Sequence, residues 1–314
     1  MLAFLSVKIL FNIIILTVSA NYFIQGTITV AKHKNLSPMF IGIFLIGFAT
    51  TAPELIVSFI AIYKHHINLA LGNAFGSYIA NIGMVIGITA LIKPIRIDNS
   101  ILKQELPLLT ITLIITVTLL LDRYLGRLDA IILLLTLIAI VIIIIKNCKK
   151  NQPKTAITTT KQSFYSGLSC LIIGLIIMLL SSSFLVDNAV QIAQILGFSE
   201  LAIGVTIIAI GTSLPELITA IICVLRNENS MAIGNIIGSN ILVILAIAAV
   251  PGIISPGYIN DTLLFRDCIM MIVVTLLFWL FSYNGKNQTI ISRTEGLILT
   301  TVFFSYLYFV VVNQ

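Results

Sequence analysis

Two stretches decide the reading: ATTAPELIVSFIAIYKHHINLALGNAFGSYIAN, from Ala49 to Asn81, and GTSLPELITAIICVLRNENSMAIGNIIGSNILV, from Gly211 to Val243. Each sets Thr-hydroxyl-x-Pro-Glu inside an apolar run and closes with Gly-Asn-x-x-Gly-Ser. Between 50 and 81, twelve of 32 positions are identical to those at 212–243. The same shift of 162 residues aligns the whole chain without a gap, placing Ser19 on Ser181, Pro94 on Pro256 and Glu105 on Asp267. Self-similarity at a fixed period marks internal duplication.

The surroundings of these stretches fix the solvent. Of 314 residues, 59% are hydrophobic and 10% charged, with a mean hydropathy of +1.11. A soluble domain keeps about a quarter of its residues charged, so this chain cannot cover itself in water. A helix crosses the bilayer core with about 20 apolar residues. Ten such spans are predicted, at 4–30, 38–63, 67–92, 105–121, 128–146, 164–189, 199–225, 230–254, 263–282 and 294–312. The predicted fold is therefore an all-α integral membrane protein of ten transmembrane helices. Residues 1–145 form the first five-helix repeat, with its motif at 47–81. Residues 146–163 form a hydrophilic cytoplasmic linker, and residues 164–314 a second repeat, with its motif at 209–243. Five spans per half is an odd number, so the second half enters the membrane from the opposite face, an inverted-topology repeat.

Charge assigns the sides. Loops 1–2, 3–4, 5–6, 7–8 and 9–10 hold Lys32, Lys34, Lys93, Arg96, Lys103, Lys146, Lys149, Lys150, Lys154, Lys161, Arg226, Lys286 and Arg293. The other loops hold Lys64, Arg123, Arg127 and Arg266. Lys and Arg accumulate in cytoplasmic loops, which places both termini outside. The net charge of +6 is thus a topology signal and implies no nucleic-acid partner. The N-terminal run lacks a charged leader and a small-residue cleavage site, and reads as a retained first span. The four cysteines (Cys148 in a loop, Cys170, Cys223 and Cys268 in apolar runs) form no CxxC pair and imply neither a disulfide framework nor a zinc site. His33, His65 and His66 fall in loops and offer no proton relay through the membrane. Glu105, Asp267 and the other remaining acids read as span ends or loops, and Asp187 as an interfacial residue near the end of span six.

Glu54 and Glu216 carry the chemistry. A carboxylate at the bilayer centre costs at least about 2.5 kcal/mol, and intramembrane acids mark ion paths. Equivalent mid-span residues of an inverted repeat converge near its pseudo-two-fold axis. Two carboxylates there supply the charge one Ca²⁺ needs, and calcium takes six to eight oxygens at about 2.3–2.6 Å. Thr50, Thr51, Thr212 and Ser213 lie one turn before the glutamates, and Ser77, Ser239 and Asn81 lie on the following spans. Pro53 and Pro215 lack an N–H, so each breaks its helix and frees a carbonyl one turn back, near Ala49 and Gly211. The spacing of Gly72, Gly76, Gly234 and Gly238 predicts close helix approach. Asn73 and Asn235 read equally as ligands or as braces of the bent spans.

At these motifs the chain resembles the Ca²⁺/cation antiporter superfamily, in particular prokaryotic Na⁺/Ca²⁺ exchangers. TAPEL at 51–55, GTSLPEL at 211–217, GNAFGSYIAN at 72–81 and GNIIGSNILV at 234–243 carry the likeness. The resemblance implies Ca²⁺ between Glu54 and Glu216 with Thr50 and Thr212. It implies Na⁺ in flanking positions built from both glutamates, Thr51, Ser77, Ser213, Ser239, Asn81 and the carbonyls of Gly47 and Ala209. It further implies alternating access by sliding of the first and sixth spans, no cofactor, no obligate protein partner, and a prokaryotic plasma (inner) membrane location. Three positions depart from the pattern. Thr51 stands for Ser, Tyr78 for Asn, and Val243 for Asn or Asp, the last deleting a polar group whose counterpart is Asn81. The leading expectation is therefore Ca²⁺/Na⁺ antiport. The alternative is a Ca²⁺/H⁺ or other cation/H⁺ antiporter, since both glutamates can carry protons. A channel, an intramembrane acid protease and a transport-inactive homologue fit the motifs less well.

Overall fold

In a computed structural model the described residues are helical apart from four short strands and the connecting turns. The structure describes residues 2–34, 36–63, 67–99, 101–150, 161–195, 209–261, 263–283 and 288–312. Among these, eight helices are long and apolar enough to cross a membrane: Val7–Lys34, Ala70–Ile92, Ile101–Leu120, Arg127–Cys148, Phe164–Ile192, Asn229–Ile254, Leu263–Ser282 and Arg293–Val312. A ninth candidate is broken into Pro38–Thr50 and Ala52–Tyr63, bent by 43°. Leu214–Leu225 is a shorter apolar helix. The first part of the predicted 199–225 span lies outside the described residues, as do most of the predicted linker, His65 and His66.

Lipid as solvent explains the surface. Leu10, Ile14, Phe59, Leu128, Leu135, Ile173, Leu276 and Tyr308 all point outward. Polar side chains collect inside instead, with Thr50, Thr51, Ser77, Ser213, Glu216, Asn235, Ser239 and Asn240 fully buried. In hydrocarbon every backbone polar group must be satisfied within the protein, which helices do and irregular chain does only where it is covered. The irregular stretches here are covered. π-Helical turns at Ile41–Gly47, Asn81–Ile86 and Val243–Ile247 are lined by buried residues. Two further π-turns lie at Ile101–Glu105 and Leu263–Cys268. Shifted by 162 residues, Asn81 falls on Val243 and Ile101 on Leu263, so backbone irregularities recur with the sequence repeat.

Short antiparallel strand pairs tie the loops. β1 (Ile95–Asp98) pairs with β4 (Gln288–Ile291), and β2 (Tyr124–Leu125) with β3 (Gly257–Tyr258). The first pair joins the loops that carry Lys93, Arg96 and Arg293, and the second joins loops on the side with fewer basic residues. Leu214–Leu225 ends in a Schellman turn, with Asn227 left-handed at φ 63 and Glu228 N–H bonded to the Cys223 carbonyl at 2.8 Å. That turn sends the chain straight back into the Asn229–Leu242 helix. At the last helix, Ser292 and Glu295 form a reciprocal cap, the Ser292 N–H donating to Glu295 Oε2 at 2.6 Å.

The long helices Leu2–Lys34 and Lys161–Ile195 lie along each other. Both exceed the predicted spans because their polar ends stay helical, and Lys32, His33 and Lys34 sit in the last turn, where basic side chains favour the helix dipole. His33 is therefore helical and not in a loop. Cys148 likewise lies buried within the helix Arg127–Lys150 and not in a loop, because that helix continues past its apolar run. Glu105 and Asp267 do lie near span ends but are buried at 3% and 2% exposure. Asp267 is matched by Arg266 Nε at 2.6 Å and the Tyr306 hydroxyl at 2.9 Å.

Glycine sets a close helix crossing. Pro38–Thr50 packs on Asn229–Leu242 backbone to backbone. A methyl on Gly238 would lie 2.7 Å from the Ile43 carbonyl oxygen, and one on Gly42 would strike the Met231 carbonyl. A methyl on Gly72 would meet only the Leu263 side chain at 3.7 Å. Overpacking typically costs about 1–3 kcal/mol. Gly42→Ala and Gly238→Ala should therefore lower the melting temperature in detergent clearly, whereas Gly72→Ala should leave it nearly unchanged. Equal melting of all three would contradict this packing.

Candidate cation site

Both motif helices break at equivalent residues. Thr51 sits at φ −77, ψ −1 and Ser213 at φ −85, ψ 2, in the bridge region between helix and strand. The helix then restarts with Pro53 and Pro215 in its first turn, where the missing N–H is harmless. Glu54 and Glu216 follow immediately and lie in the first turns of Ala52–Tyr63 and Leu214–Leu225. The N-terminal end of a helix carries partial positive charge and favours an acid there. This local offset does not neutralise the carboxylates, which are buried at 1% and 0% exposure.

The two halves cross at this point. Phe48–Thr50 packs on Asn229–Leu242, and Ala209–Thr212 on Ile67–Ala80. Thr212 consequently lies beside Glu54, and Thr50 beside Glu216, though neither hydroxyl makes a well-formed hydrogen bond to the carboxylate. The glutamates are close enough to repel each other. The ion pairs Arg123–Asp261 and Arg266–Asp267 lie at span ends, so neither involves the central acids.

Hydroxyls converge on one backbone carbonyl. Gly47 O accepts the Thr51 N–H at 3.1 Å, Thr51 Oγ1 at 2.7 Å, Thr50 Oγ1 at 3.4 Å and Ser239 Oγ at 3.3 Å from the other half. The carbonyl freed by Pro215, that of Gly211, accepts Ser182 Oγ at 3.1 Å. It is therefore engaged by the Lys161–Ile195 helix. Ala209 opens the short helix Ala209–Thr212. Asn73 and Asn235 act as braces. Asn73 Nδ2 donates to the Glu54 carbonyl at 3.1 Å and to Ser58 Oγ at 3.0 Å. Asn235 accepts from Thr50 Oγ1 at 3.2 Å and donates to Thr219 Oγ1 at 3.2 Å. Gly234 and Gly238 sit at the close crossing as their spacing predicts, whereas Gly72 does not. Asp187 is exposed.

The remaining oxygens are unusual. Among the described residues, thirteen buried side-chain oxygens have no hydrogen-bond partner; eight fall within the motif stretches, and seven of these, all but Asn229 Oδ1, belong to residues expected in the cation site. They are both carboxylate oxygens of Glu54 and of Glu216, Ser77 Oγ, Ser213 Oγ and Asn81 Oδ1. Leaving one such group unsatisfied costs about 1–3 kcal/mol, more when charged. A hard cation is bound by oxygens of this kind.

One polar residue here escaped sequence reading. Asn240 is fully buried, and its Oδ1 accepts Asn81 Nδ2 at 2.9 Å across the two halves. Its position beside Ser239 in the second Gly-Ser-Asn was the available signal. Tyr78, its counterpart under the 162-residue shift, turns away to Thr275 Oγ1 at 2.8 Å.

Known proteins share this architecture. Residues 5–146 and 166–312 match the family described as sodium/calcium exchanger protein. The chain is 38% identical over 310 residues to CaxA of Alkalimonas amylolytica, covering 96% of this chain and 97% of that one. It is 33% identical over 305 residues to the inner membrane protein YrbG of Escherichia coli, covering 94% and 93%. Solved structures of the sodium-calcium exchanger NCX_Mj superpose with a TM-score of 0.84 at 30% identity, covering 98% of this chain and 99% of that one. The chain belongs to the sodium/calcium exchanger protein family. It is an integral membrane antiporter of the cation/calcium class and not an enzyme.

The brace at Asn235 joins Thr50 to Thr219 in a buried setting. Asn235→Leu keeps the volume and removes one buried hydrogen bond from each of Thr50 and Thr219, so a loss of about 1–3 kcal/mol follows. Thermal unfolding in detergent should show it, and a variant as stable as the parent would contradict the bracing role.

Proposed function

We propose that this protein exchanges Ca²⁺ for Na⁺ across the membrane by alternating access, with Ca²⁺ held between Glu54 and Glu216 and ligated further by Thr50 and Thr212. Na⁺ occupies flanking positions made by the same glutamates with Thr51, Ser77, Ser213, Ser239, Asn81 and the carbonyls of Gly47 and Ala209. The observation that carries the reading is the set of seven buried, unpartnered oxygens on Glu54, Ser77, Asn81, Ser213 and Glu216, four of them on carboxylates. Removing one partner from a buried charge pair costs about 3–5 kcal/mol. Two buried acids without a basic partner therefore call for positive charge from outside the chain. One divalent ion supplies two charges, as do two monovalent ions, and this equivalence is the physical basis of exchange at a shared site. The sodium/calcium exchanger MaX1 of Methanosarcina acetivorans, 25% identical over 339 residues and covering 95% of this chain and 96% of that one, supports the same ions.

The topology belongs to this proposal. Ten spans in two inverted five-helix repeats, both termini outside, account for the 162-residue period, the recurring π-turns and the strand pairs joining loops of like charge. The symmetry would bring Glu54 and Glu216 to one depth from opposite faces. A C-terminal phosphatase fusion in a bacterial host should then be active and a C-terminal fluorescent fusion dark. The reverse pattern would place the C-terminus inside.

The proton-coupled alternative draws on Val243, which leaves only the two glutamates as acids in the motif core. Proteoliposomes loaded with Na⁺ and diluted into Na⁺-free buffer separate the two. Ca²⁺ uptake should depend on internal Na⁺ and vanish in Glu216→Gln and Glu54→Gln. Uptake driven only by an inside-acid pH gradient would replace sodium coupling with proton coupling. Thr50→Val and Thr212→Val, which keep volume and remove one hydroxyl each, should weaken Ca²⁺ binding by about tenfold, or about 1.4 kcal/mol.

A further inference from the structure

The two motifs depart from their own internal symmetry at linked positions. A shift of 162 residues carries Tyr78 onto Asn240 and Asn81 onto Val243. Each half thus keeps one amide: the first half at its later position, the second half at its earlier one. The structure brings these surviving amides together. Asn81 Nδ2 donates to Asn240 Oδ1 at 2.9 Å, and Asn240 Nδ2 donates to the Tyr78 carbonyl at 3.4 Å. The other two corners hold no amide. Val243 is fully buried, and Tyr78 sends its hydroxyl to Thr275.

The bridge fixes one atom in particular. With its nitrogen committed to Asn240, Asn81 keeps a buried side-chain carbonyl, Oδ1, that has no partner in the protein. A buried primary amide can turn over and exchange its oxygen for its nitrogen, and a nitrogen aimed at a cation repels it. The acceptor on Asn240 disfavours that flip, because a turned Asn81 would set two oxygens against each other.

We propose that Asn240 is a positioning residue for the ion site: it holds the Asn81 carbonyl toward the cation and thereby offsets the polar group missing at Val243. This inference rests on the cation-exchange reading above. It makes the site lopsided, with a neutral amide ligand on one side of the glutamate pair and valine methyl groups on the other. Asn240 itself touches no ion and acts through Asn81.

The test is a double-mutant cycle read by Ca²⁺ titration of purified full-length protein in detergent, with melting temperature recorded alongside. Asn240→Leu, of similar volume, should weaken Ca²⁺ binding by about tenfold, a loss of about 1.4 kcal/mol. Asn81→Leu should do at least as much. The double variant should bind no more weakly than Asn81→Leu alone, because Asn240 would have nothing left to orient. Asn240→Asp keeps the acceptor for Asn81 and should bind Ca²⁺ at least as tightly as the parent. Asn240→Ala carries the same comparison if the leucine variant does not fold. Wild-type affinity in Asn240→Leu, or two effects that multiply, would overturn the positioning role while leaving the exchange reading intact. Failure of the parent itself to bind Ca²⁺ would overturn both.

Discussion

Two carboxyl groups buried close together dominate this molecule. Glu54 and Glu216 are buried from solvent and near enough to interact, and among the described residues no arginine or lysine is paired with them. A soluble protein would replace such a pair with apolar residues, since well-packed hydrophobes are commonly as stable or more so. On the exchange proposed above, cations from outside supply the charge that this pair lacks in the chain. Much of the surrounding structure can be understood as holding that pair in place without neutralising it.

The means are mostly backbone. The helices stop at Thr51 and Ser213 and restart at once, so each glutamate lies in a first helical turn. Gly42, Gly234 and Gly238 let the Pro38–Thr50 helix press against Asn229–Leu242, which carries Ser239 within reach of the Gly47 carbonyl. Asn73 and Asn235 then pin the segments that follow the breaks. The bracing amides spend their hydrogen bonds on the protein, whereas the glutamates, Ser77 and Ser213 keep oxygens free of protein partners. That division of labour sets the bracing amides apart from the oxygens that the proposed exchange assigns to an ion.

The peripheral pair, Leu2–Lys34 with Lys161–Ile195, packs on the same central segments and is bonded to them. Ser182 reaches the Gly211 carbonyl that Pro215 leaves without its helical partner. A freed carbonyl is thus used as a joint between helices. Arg226 makes a second joint at the helix end, donating to Asn21 Oδ1 at 2.6 Å. Movement of the long pair relative to the core would have to exchange these bonds.

The sequence by itself determined the class, the repeat and the central acids. Composition fixes the solvent, a 162-residue period fixes the duplication, and an acid after proline in an apolar run has few structural uses. It also named most of the oxygens, because hydroxyls and amides were set at equivalent places in both motifs. Only the tertiary structure decided which partners each group has. The bracing bonds of Asn73 and Asn235, to the Glu54 carbonyl, Ser58 and Thr219, became visible only once the helices were packed. Asn240 was hidden because its counterpart is Tyr78, so the repeat gave it no second copy to stand out against. His33 and Cys148 read as loop residues because hydropathy marks where the apolar run ends, whereas the helix ends where its backbone hydrogen bonds do. A repeat reveals what two halves share. The contacts between halves, such as Asn81 with Asn240 and Thr50 with Asn235, arise where they cross, and crossing is a property of packing that no local pattern records.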